Sequence, residues 1–440
     1  MFHEVALKYN LAQCVNRNIA ISLGLRKRLY YQRYAEDFLK TSVNIPVLKN
    51  EDLSVDVLVC GGGILGASIA MHLAQRGGLK VMLMEQGSWY LGGQQPKLLS
   101  DFPWNHFLIG RIGGGGTWLS NGLISAHQSW QQQVRPLAEY SIQLYRQLNE
   151  KYSDIDYQSI GRLFLAKSDF SLVDIQRMHA LANAYGNRST LMKASDIKAY
   201  ADIVNTSDLK AGLLVPDDAR VNTLALCLAM IKEAENAGAV IVENCEVSKL
   251  KINDDGLVYG AETDCGFVEC KNFVNTAGLW STNLSIESNT GIKIRIPSQA
   301  CYFSYLSTGN FDGAKSDIPI IHDLDSNIYI YSHDLDTIIS GGFDLNAAKS
   351  LKFSGGLPRD LNYQQLPEEW DLFLTIMEKL AHRFPFIQKA KIKELVTTAE
   401  NFTPDGYILV GQAPRLKGIT QRIYINYSEF ESNPARKDEK

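Results

Sequence analysis

The chain has 440 residues, long for one compact unit and suited to two or more interleaved lobes. Apolar residues make up 45% and charged residues 21%, the profile of a folded globular chain rather than a disordered one. The 44 basic residues set against 48 acidic ones leave a net charge of −4, which argues against a protein built to hold nucleic-acid backbone.

No apolar run approaches the length of a spanning helix, so no membrane span is expected. The longest, near Leu224 to Ile231, reads as a buried helical segment. The seven cysteines include no C-x-x-C pair, so neither a disulfide framework nor a cysteine-built zinc site is expected. A reducing compartment fits this usage. The eight histidines are scattered without a metal-ligand spacing, and no G-x-S-x-G nucleophile turn occurs.

Residues 1–50 stand apart. Arg26 to Arg33 is strongly basic and interleaved with Tyr30 and Tyr31. An Arg-rich, amphipathic start suits a mitochondrial presequence; the acids Glu4, Glu36 and Asp37 suit an ordinary surface helix instead. The expectation taken forward is an N-terminal extension that directs the protein to the mitochondrial matrix.

The clearest signal begins at Val55. Val55 to Cys60 is apolar and rich in β-branched residues, as a buried strand is. Gly61-Gly62-Gly63-Ile64-Leu65-Gly66 follows at once, and Ala67 to Arg76 has helical spacing that Gly77 and Gly78 end. Lys80 to Met84 is a second strand, closed by Glu85, which lies 22 positions after Gly63. Strand, G-x-G-x-x-G, helix, strand and acid together form a dinucleotide-binding fingerprint. Gly61 permits the tight turn, Gly63 lets a pyrophosphate approach the backbone, and Gly66 lets helix and strand pack closely. The helix N-terminus supplies N–H groups for the phosphates, and the Glu85 carboxylate can accept the ribose hydroxyls.

Further along, Val240 to Val247 and Lys249 to Ile252 read as paired strands. Ala261 to Asp264 and Phe267 to Cys270 bracket Cys265-Gly266 as a hairpin. Phe273 to Asn275 reads as a parallel strand ending at Ala277-Gly278, small residues that suit either a tight turn alone or close approach to a ligand.

Several segments carry a family resemblance. Thr117-Trp118-Leu119-Ser120-Asn121-Gly122-Leu123 resembles the "TWHxAGL" segment of sarcosine and dimethylglycine dehydrogenases, and Gly161 to Ala166 their "GxLxLA" strand. Phe273 to Trp280 resembles the "VVNxAGxW" segment of D-amino-acid-oxidase-type flavoproteins, and Ser340 to Phe343 their "xGGF/Y" strand. Glu400 to Asp405 with Gly411 to Pro414 is similar to their "ESFTPD…GEAP" pair. Val215 to Ala219, Glu262 to Cys270 and Trp370 to Pro385 look closer to a regulatory branch of the family, the regulatory subunits of pyruvate dehydrogenase phosphatase.

The resemblance implies an α/β fold in which a Rossmann-like FAD-binding lobe is interleaved with a substrate lobe of mainly antiparallel sheet plus helices. It implies an FAD lobe from 51–130, 230–285 and 395–425, a substrate or cap lobe from 135–225 and 290–395, and a polar tail at 426–440. It adds Gly116, Thr117, Trp118, Val247, Ala277, Gly278 and Trp280 to Gly61, Gly63, Gly66 and Glu85 as cofactor-contacting residues. The implied activity is oxidation of a small secondary or tertiary amine by hydride transfer to FAD. The alternative is a regulatory protein on the same fold, with a phosphatase catalytic subunit as partner.

Three departures bear on chemistry. Leu119 stands where the family's amine dehydrogenases carry the histidine that attaches FAD, so the resemblance implies non-covalent FAD here. Ser88 to Arg111 is longer than the family spacing, and the four glycines 113–116 that follow suit either a flavin-side loop or a flexible linker. Ile419 to Lys440 lacks the family's glycine-rich turn and last helix. On the substrate side, Cys301 to Leu306 has no histidine where the family has two. Tyr302, Tyr305, Arg295 and Arg359 are the polar candidates, with packing the alternative role for the tyrosines and surface ion pairing for the arginines.

Overall fold

A computed structural model describes residues 53–423 except 88–111, 126–133, 287–295, 310–317, 335–336, 345–348, 354–355, 360, 362–365, 407 and 414–416. The basic N-terminal segment, the Ser88–Arg111 stretch, His127, Arg295 and the polar tail lie outside the described residues.

In chain order the first elements are β1 (Ser54–Cys60), α1 (Ile64–Gln75), β2 (Val81–Met84), α2 (Gly116–Leu119), β3 (Leu123–Ile124) and α3 (Arg135–Lys151). Then come β4 (Arg162–Ala166), α4 (Asp169–Ala184), β5 (Thr190–Lys193), α5 (Ala194–Tyr200), β6 (Ala211–Val215), β7 (Ala219–Arg220) and α6 (Thr223–Asn236). They are followed by β8 (Val240–Val242), β9 (Val247–Ile252), β10 (Val258–Thr263), β11 (Gly266–Asn275) and α7 (Ser281–Ile286). The last are β12 (Gln299–Gly309), β13 (Ile320–Asp323), β14 (Ile328–Asp334), β15 (Thr337–Gly342), α8 (Trp370–Arg383), β16 (Ile392–Phe402), β17 (Leu409–Gln412) and β18 (Ile419–Ile423).

Two eight-stranded sheets carry the fold. In the first, β8, β2, β1, β11 and β18 run parallel, and β17 pairs antiparallel on the β18 edge. β9 and β10 extend this sheet antiparallel from the N-terminal part of β11. Leu58, Val59, Met82 and Leu83 are wholly buried, because both faces of these central strands are covered: Val59 and Leu83 by helices, Leu58 and Met82 by Leu250, Val258, Ala261 and Val268 of β9, β10 and β11. α1 and α6 supply that cover on one face, with Ala67, Ala70 and Met71 set against Leu226, Met230 and Ala234. Asn222 starts α6 by accepting the Ala225 N–H, and Gly77 and Gly78, both at φ +74°, stop the chain after α1.

The second sheet has the order β16-β12-β15-β14-β13-β4-β6-β5 and is antiparallel except where β13 runs beside β4. α8 lays Phe373, Ile376, Met377 and Leu380 on it. The expected α/β architecture, with a parallel nucleotide-type sheet and a mainly antiparallel companion, is the one observed.

Two local expectations change. Val240–Val242 does not pair with the strand after it; it adds parallel to β2, while Val247–Ile252 turns away to pair with β10. Ile392–Phe402 belongs to the second sheet through its long antiparallel ladder with β12, so the chain returns to the first sheet only at β17, after Phe402. Among the described residues no helix is long and apolar enough to cross a membrane.

Candidate functional site

The carboxyl ends of β1, β2 and β11 lie level, with Cys60 opposite both Met84 and Asn275. In open parallel sheets the ligand crevice forms outside such strand ends. A cavity of about 970 Å³ opens there and runs from the glycine turn toward the second sheet at Ala399 to Asn401. Gly61, Gly63, Glu85, Gly116, Thr117, Trp118, Val247, Ala277, Gly278 and Trp280 all line it.

The three fingerprint glycines do different things. Gly61 sits at φ +103°, and a Cβ there would run into the Thr276 backbone, because the turn crosses directly beneath β11's end. A Cβ on Gly66 would strike the Gly61 carbonyl; this residue faces the strand and does not line the cavity. Gly63 faces the cavity, with only Thr117 Oγ1 within 3.3 Å of a Cβ built on it. It is also the N-cap of α1, which has no side-chain cap and no acid in its first turn. Apart from the Ile64 N–H, which Thr117 Oγ1 accepts, the positive end of the helix is therefore left for an anion.

Glu85 follows β2 directly. Its Oε2 accepts the Gly62 N–H at 2.7 Å and its Oε1 accepts the Gly87 N–H at 2.9 Å. Burial pushes the carboxyl above its ordinary value, the two N–H bonds pull it back, and the neighbouring Glu243 adds to the rise. Glu243 itself is buried and accepts the Ile112 N–H at 3.0 Å, which fixes the chain where it re-enters before the glycine run.

That run is part of the wall. Gly113 to Gly116 line the cavity, and the Gly113 N–H is donated to the Gly62 carbonyl at 2.9 Å. Thr117 Oγ1 accepts the Ile64 N–H at 3.0 Å, so α2 is tied to the first turn of α1. Beyond Trp118, Asn121 donates to the Tyr329 hydroxyl at 2.6 Å, and the Tyr331 hydroxyl donates to the Asn121 side chain at 3.3 Å. Two buried tyrosines of β14 thus hold this segment to the second sheet. Sequence reading quoted Asn121 only as part of a motif; its role needed the pairing of β14.

Leu119 is buried in an apolar cluster with Leu279, Ala300, Leu351 and Ala399, flanked by Trp118, Trp280 and Tyr302. A leucine offers no nitrogen for a cofactor linkage, and its surroundings are those of a packing residue. Tyr302 packs in the same cluster with Lys349 5.1 Å from its ring centre, and Tyr305 packs near Phe303 and Ile339. Neither lines the cavity.

The far rim is a strap. Asn401 donates to the Gly278 carbonyl at 2.8 Å, and Trp280 Nε1 donates to the Pro358 carbonyl at 2.8 Å. Asn283 and Leu357 exchange two bonds, at 2.7 and 3.1 Å. Arg359 then pairs with Asp264 at 2.6 Å and Glu246 at 3.1 Å, and donates to the Gln86 carbonyl at 3.2 Å. It is an ion-pairing residue at the cavity mouth, the alternative weighed for it from sequence. Glu246 and Cys245, which also line the cavity, had no signal in the sequence.

One cysteine expectation is overturned. Cys245 and Cys265, twenty residues apart, are joined by a disulfide with Cα atoms 6.0 Å apart. No spacing motif announces the pair; the β9–β10 hairpin brings it together. Cys60, Cys227, Cys270 and Cys301 are free and buried. Among the described residues no cluster of His, Cys, Asp and Glu could hold a metal ion.

The pattern that describes FAD dependent oxidoreductases (DAO) matches residues 56–429, which contain both sheets except the first two residues of β1, and the whole cavity wall. The chain belongs to this family. It is similar to the mitochondrial pyruvate dehydrogenase phosphatase regulatory subunit of Mus musculus, 32% identical over 82% of this chain and 38% of that one. It is also similar to the mitochondrial sarcosine dehydrogenase of Mus musculus, 27% identical over 93% of this chain and 43% of that one. This chain therefore spans about two fifths of the length of the curated relatives it matches. Among solved structures, L-proline dehydrogenase from P. horikoshii superposes with a TM-score of 0.69 at 19% identity, covering 84% of this chain and 87% of that one. At that identity the likeness speaks for the fold alone.

The residues present suit the family's cofactor. The cavity has room for a molecule of this size. The α1 N-terminus, with no N-cap side chain and no acid in its first turn, and the bare Gly63 backbone would suit two phosphates, and Glu85 lies beside them at the end of β2.

Proposed function

We propose that the chain is a non-covalent FAD-dependent oxidoreductase that oxidises a secondary or tertiary amine. The observation that carries this is the single cavity wall that joins the Gly61–Gly66 turn and Glu85 to Trp118, Gly278 and Asn401 at the second sheet. In this reading α1 and Gly63 hold the pyrophosphate, Glu85 accepts the ribose hydroxyls, and Val247 lies against the adenosine. Gly116, Thr117, Trp118, Ala277, Gly278 and Trp280 line the flavin portion. FAD supplies the hydride acceptor. The protein's part is to bind, orient and exclude water. Trp118, Leu279 and Trp280, packed on the buried Leu119, form the apolar surface that does the last of these. Leu119 leaves the cofactor unlinked at that position.

A second reading has a specific observation behind it. The 32% identity to a phosphatase regulatory subunit exceeds the 27% identity to a sarcosine dehydrogenase, and Cys301 to Leu306 carries no histidine. On this reading the same fold binds a phosphatase catalytic subunit and turns over little or no amine. The relatives named as mitochondrial support placement in that organelle under either reading.

The test is a visible spectrum of the purified protein before and after acid precipitation, followed by anaerobic addition of N-methylated glycines and longer N-methyl amino acids. Flavin bands that pass to the supernatant and bleach with an amine support the first reading. A flavin that stays oxidised, together with retention of a phosphatase catalytic subunit, supports the second. A protein that stays colourless after FAD addition sinks the oxidoreductase reading.

A further inference from the structure

We propose that Cys245 and Cys265 form a thiol–disulfide switch that sets how tightly the adenosine end of the dinucleotide cavity is closed. The proposal rests on the FAD reading above and deepens it. Cys245 is wholly buried in the cavity wall, and its N–H is donated to the Glu85 carbonyl at 3.0 Å, directly behind the ribose-side acid. Cys265 is exposed at the turn between β10 and β11. The 6.0 Å separation of their Cα atoms is within the range that a disulfide spans.

What gives the pair a consequence is its neighbours. Glu246 follows Cys245 and Asp264 precedes Cys265, and these are the two carboxylates that hold Arg359. Arg359 directly follows Leu357 and Pro358, which Asn283 and Trp280 hold in place. Within the turn, Thr263 Oγ1 accepts the Cys265 N–H at 3.1 Å and donates to the Gly266 carbonyl at 2.7 Å. Between the turn and the residues before β9, the Asp264 N–H is donated to the Glu246 carbonyl at 3.0 Å and the Glu246 N–H to Asp264 Oδ2 at 3.3 Å. The last of these shares the Asp264 carboxylate with Arg359. The crosslink therefore ties the exposed turn to the end of β2 and keeps both acceptors under the guanidinium. Opening it frees the turn to move, and the clasp over the cavity mouth loosens with it.

The chemistry needs an oxidant, and glutathione disulfide is of the right class. The surface Cys265 thiolate attacks one of its sulfurs, that S–S bond breaks, and one glutathione leaves. Cys245, deprotonated, then attacks the Cys265 sulfur of the mixed disulfide and expels the second. Two electrons pass from the protein thiols to the glutathione disulfide, and the two protons end on the two glutathione thiols. Excess glutathione reverses both steps.

The test uses the full chain saturated with FAD and equilibrated in oxidising or reducing glutathione buffer. Alkylation and intact mass count the thiols, and the fluorescence of released FAD after dilution gives the dissociation rate. Oxidation is expected to hide two thiols and to slow FAD release about fivefold, the size of one partly exposed ion pair. Cys265→Ser should release FAD at the fast rate in both buffers. Arg359→Ala should still hide two thiols on oxidation yet lose the difference in rate. Equal release rates in wild type with the crosslink formed, or no crosslink in oxidising buffer, would overturn the switch. Failure to bind FAD in either buffer would overturn the FAD reading and the gate with it, while the thiol count would still report the crosslink.

Discussion

Glu85 and Gly62 form one hydrogen-bonded unit: the carboxylate that ends β2 accepts the N–H of the glycine turn that ends β1, at 2.7 Å. The same carboxylate takes the Gly87 N–H at 2.9 Å. The acid proposed for the ribose is thus also the clamp that shapes the phosphate turn. Sequence spacing placed the two 23 residues apart and said nothing of this bond.

Glu85→Gln tests that double role. The amide keeps one acceptor oxygen but turns an NH₂ toward one of the two N–H groups, and it removes the charge. Hydrogen bonds to a charged group are worth about 1.5–3 kcal/mol. FAD affinity measured by fluorescence titration should fall roughly 10- to 100-fold, with a lower melting temperature. Unchanged affinity would remove Glu85 from the cofactor site.

Gly66→Ala and Gly115→Ala should part sharply. A Cβ on Gly66 collides with the Gly61 carbonyl, which cannot move without breaking the β1–α1 turn, whereas a Cβ on Gly115 meets no atom within 4 Å. Urea denaturation should show a loss of several kcal/mol for the first and a change within about 0.5 kcal/mol for the second. A tolerated Gly66→Ala would contradict the close packing of α1 on β1.

His322 makes stability depend on acid. Burial, reinforced by the nearby Arg162, pushes its imidazole from 6.5 down to about 3. Between those values the unfolded chain binds a proton that the folded chain refuses, so stability is full above pH 6.5 and is lost as the pH falls below it. At pH 5.5 the loss from this group is about 1.4 kcal/mol. His322→Gln should flatten the decline in urea midpoint between pH 7.5 and 5.5. A variant with the wild-type slope would assign the acid sensitivity to other groups.

Arg383 ends α8 and is buried with Asp323, Nε to Oδ2 at 2.6 Å, while its Nη1 reaches Asp208 at 2.7 Å. Arg383→Met would leave the fully buried Asp323 carboxylate unpaired, at about 3–5 kcal/mol by chemical denaturation. Adding Asp323→Asn should recover part of that loss. An additive double variant would show that the two side chains do not act as a pair.

The parts legible in the amino-acid order were those whose physics is local. The Val55–Cys60 strand, the glycine turn, the helix stopped at Gly77 and the Cys265 hairpin each follow from side-chain period, β-branching and glycine within a short window. Motif resemblance extended this to Thr117 and Trp118, and to Ala277, Gly278 and Trp280, whose cavity positions the strand ends then supplied.

Pairing at a distance was decided only by the tertiary structure. Whether Val240–Val242 joins β9 or β2 depends on which strand edge is open, and no property of the three residues distinguishes the two. The length of the β12–β16 ladder drew Ile392–Phe402 into the second sheet, and a turn brought Cys245 to Cys265. Arg359 could have met a substrate carboxylate or a surface acid as far as its own chemistry goes. The strap that places it over Glu246 and Asp264 made the choice, because an ion pair is selected by which charges the fold brings within 4 Å.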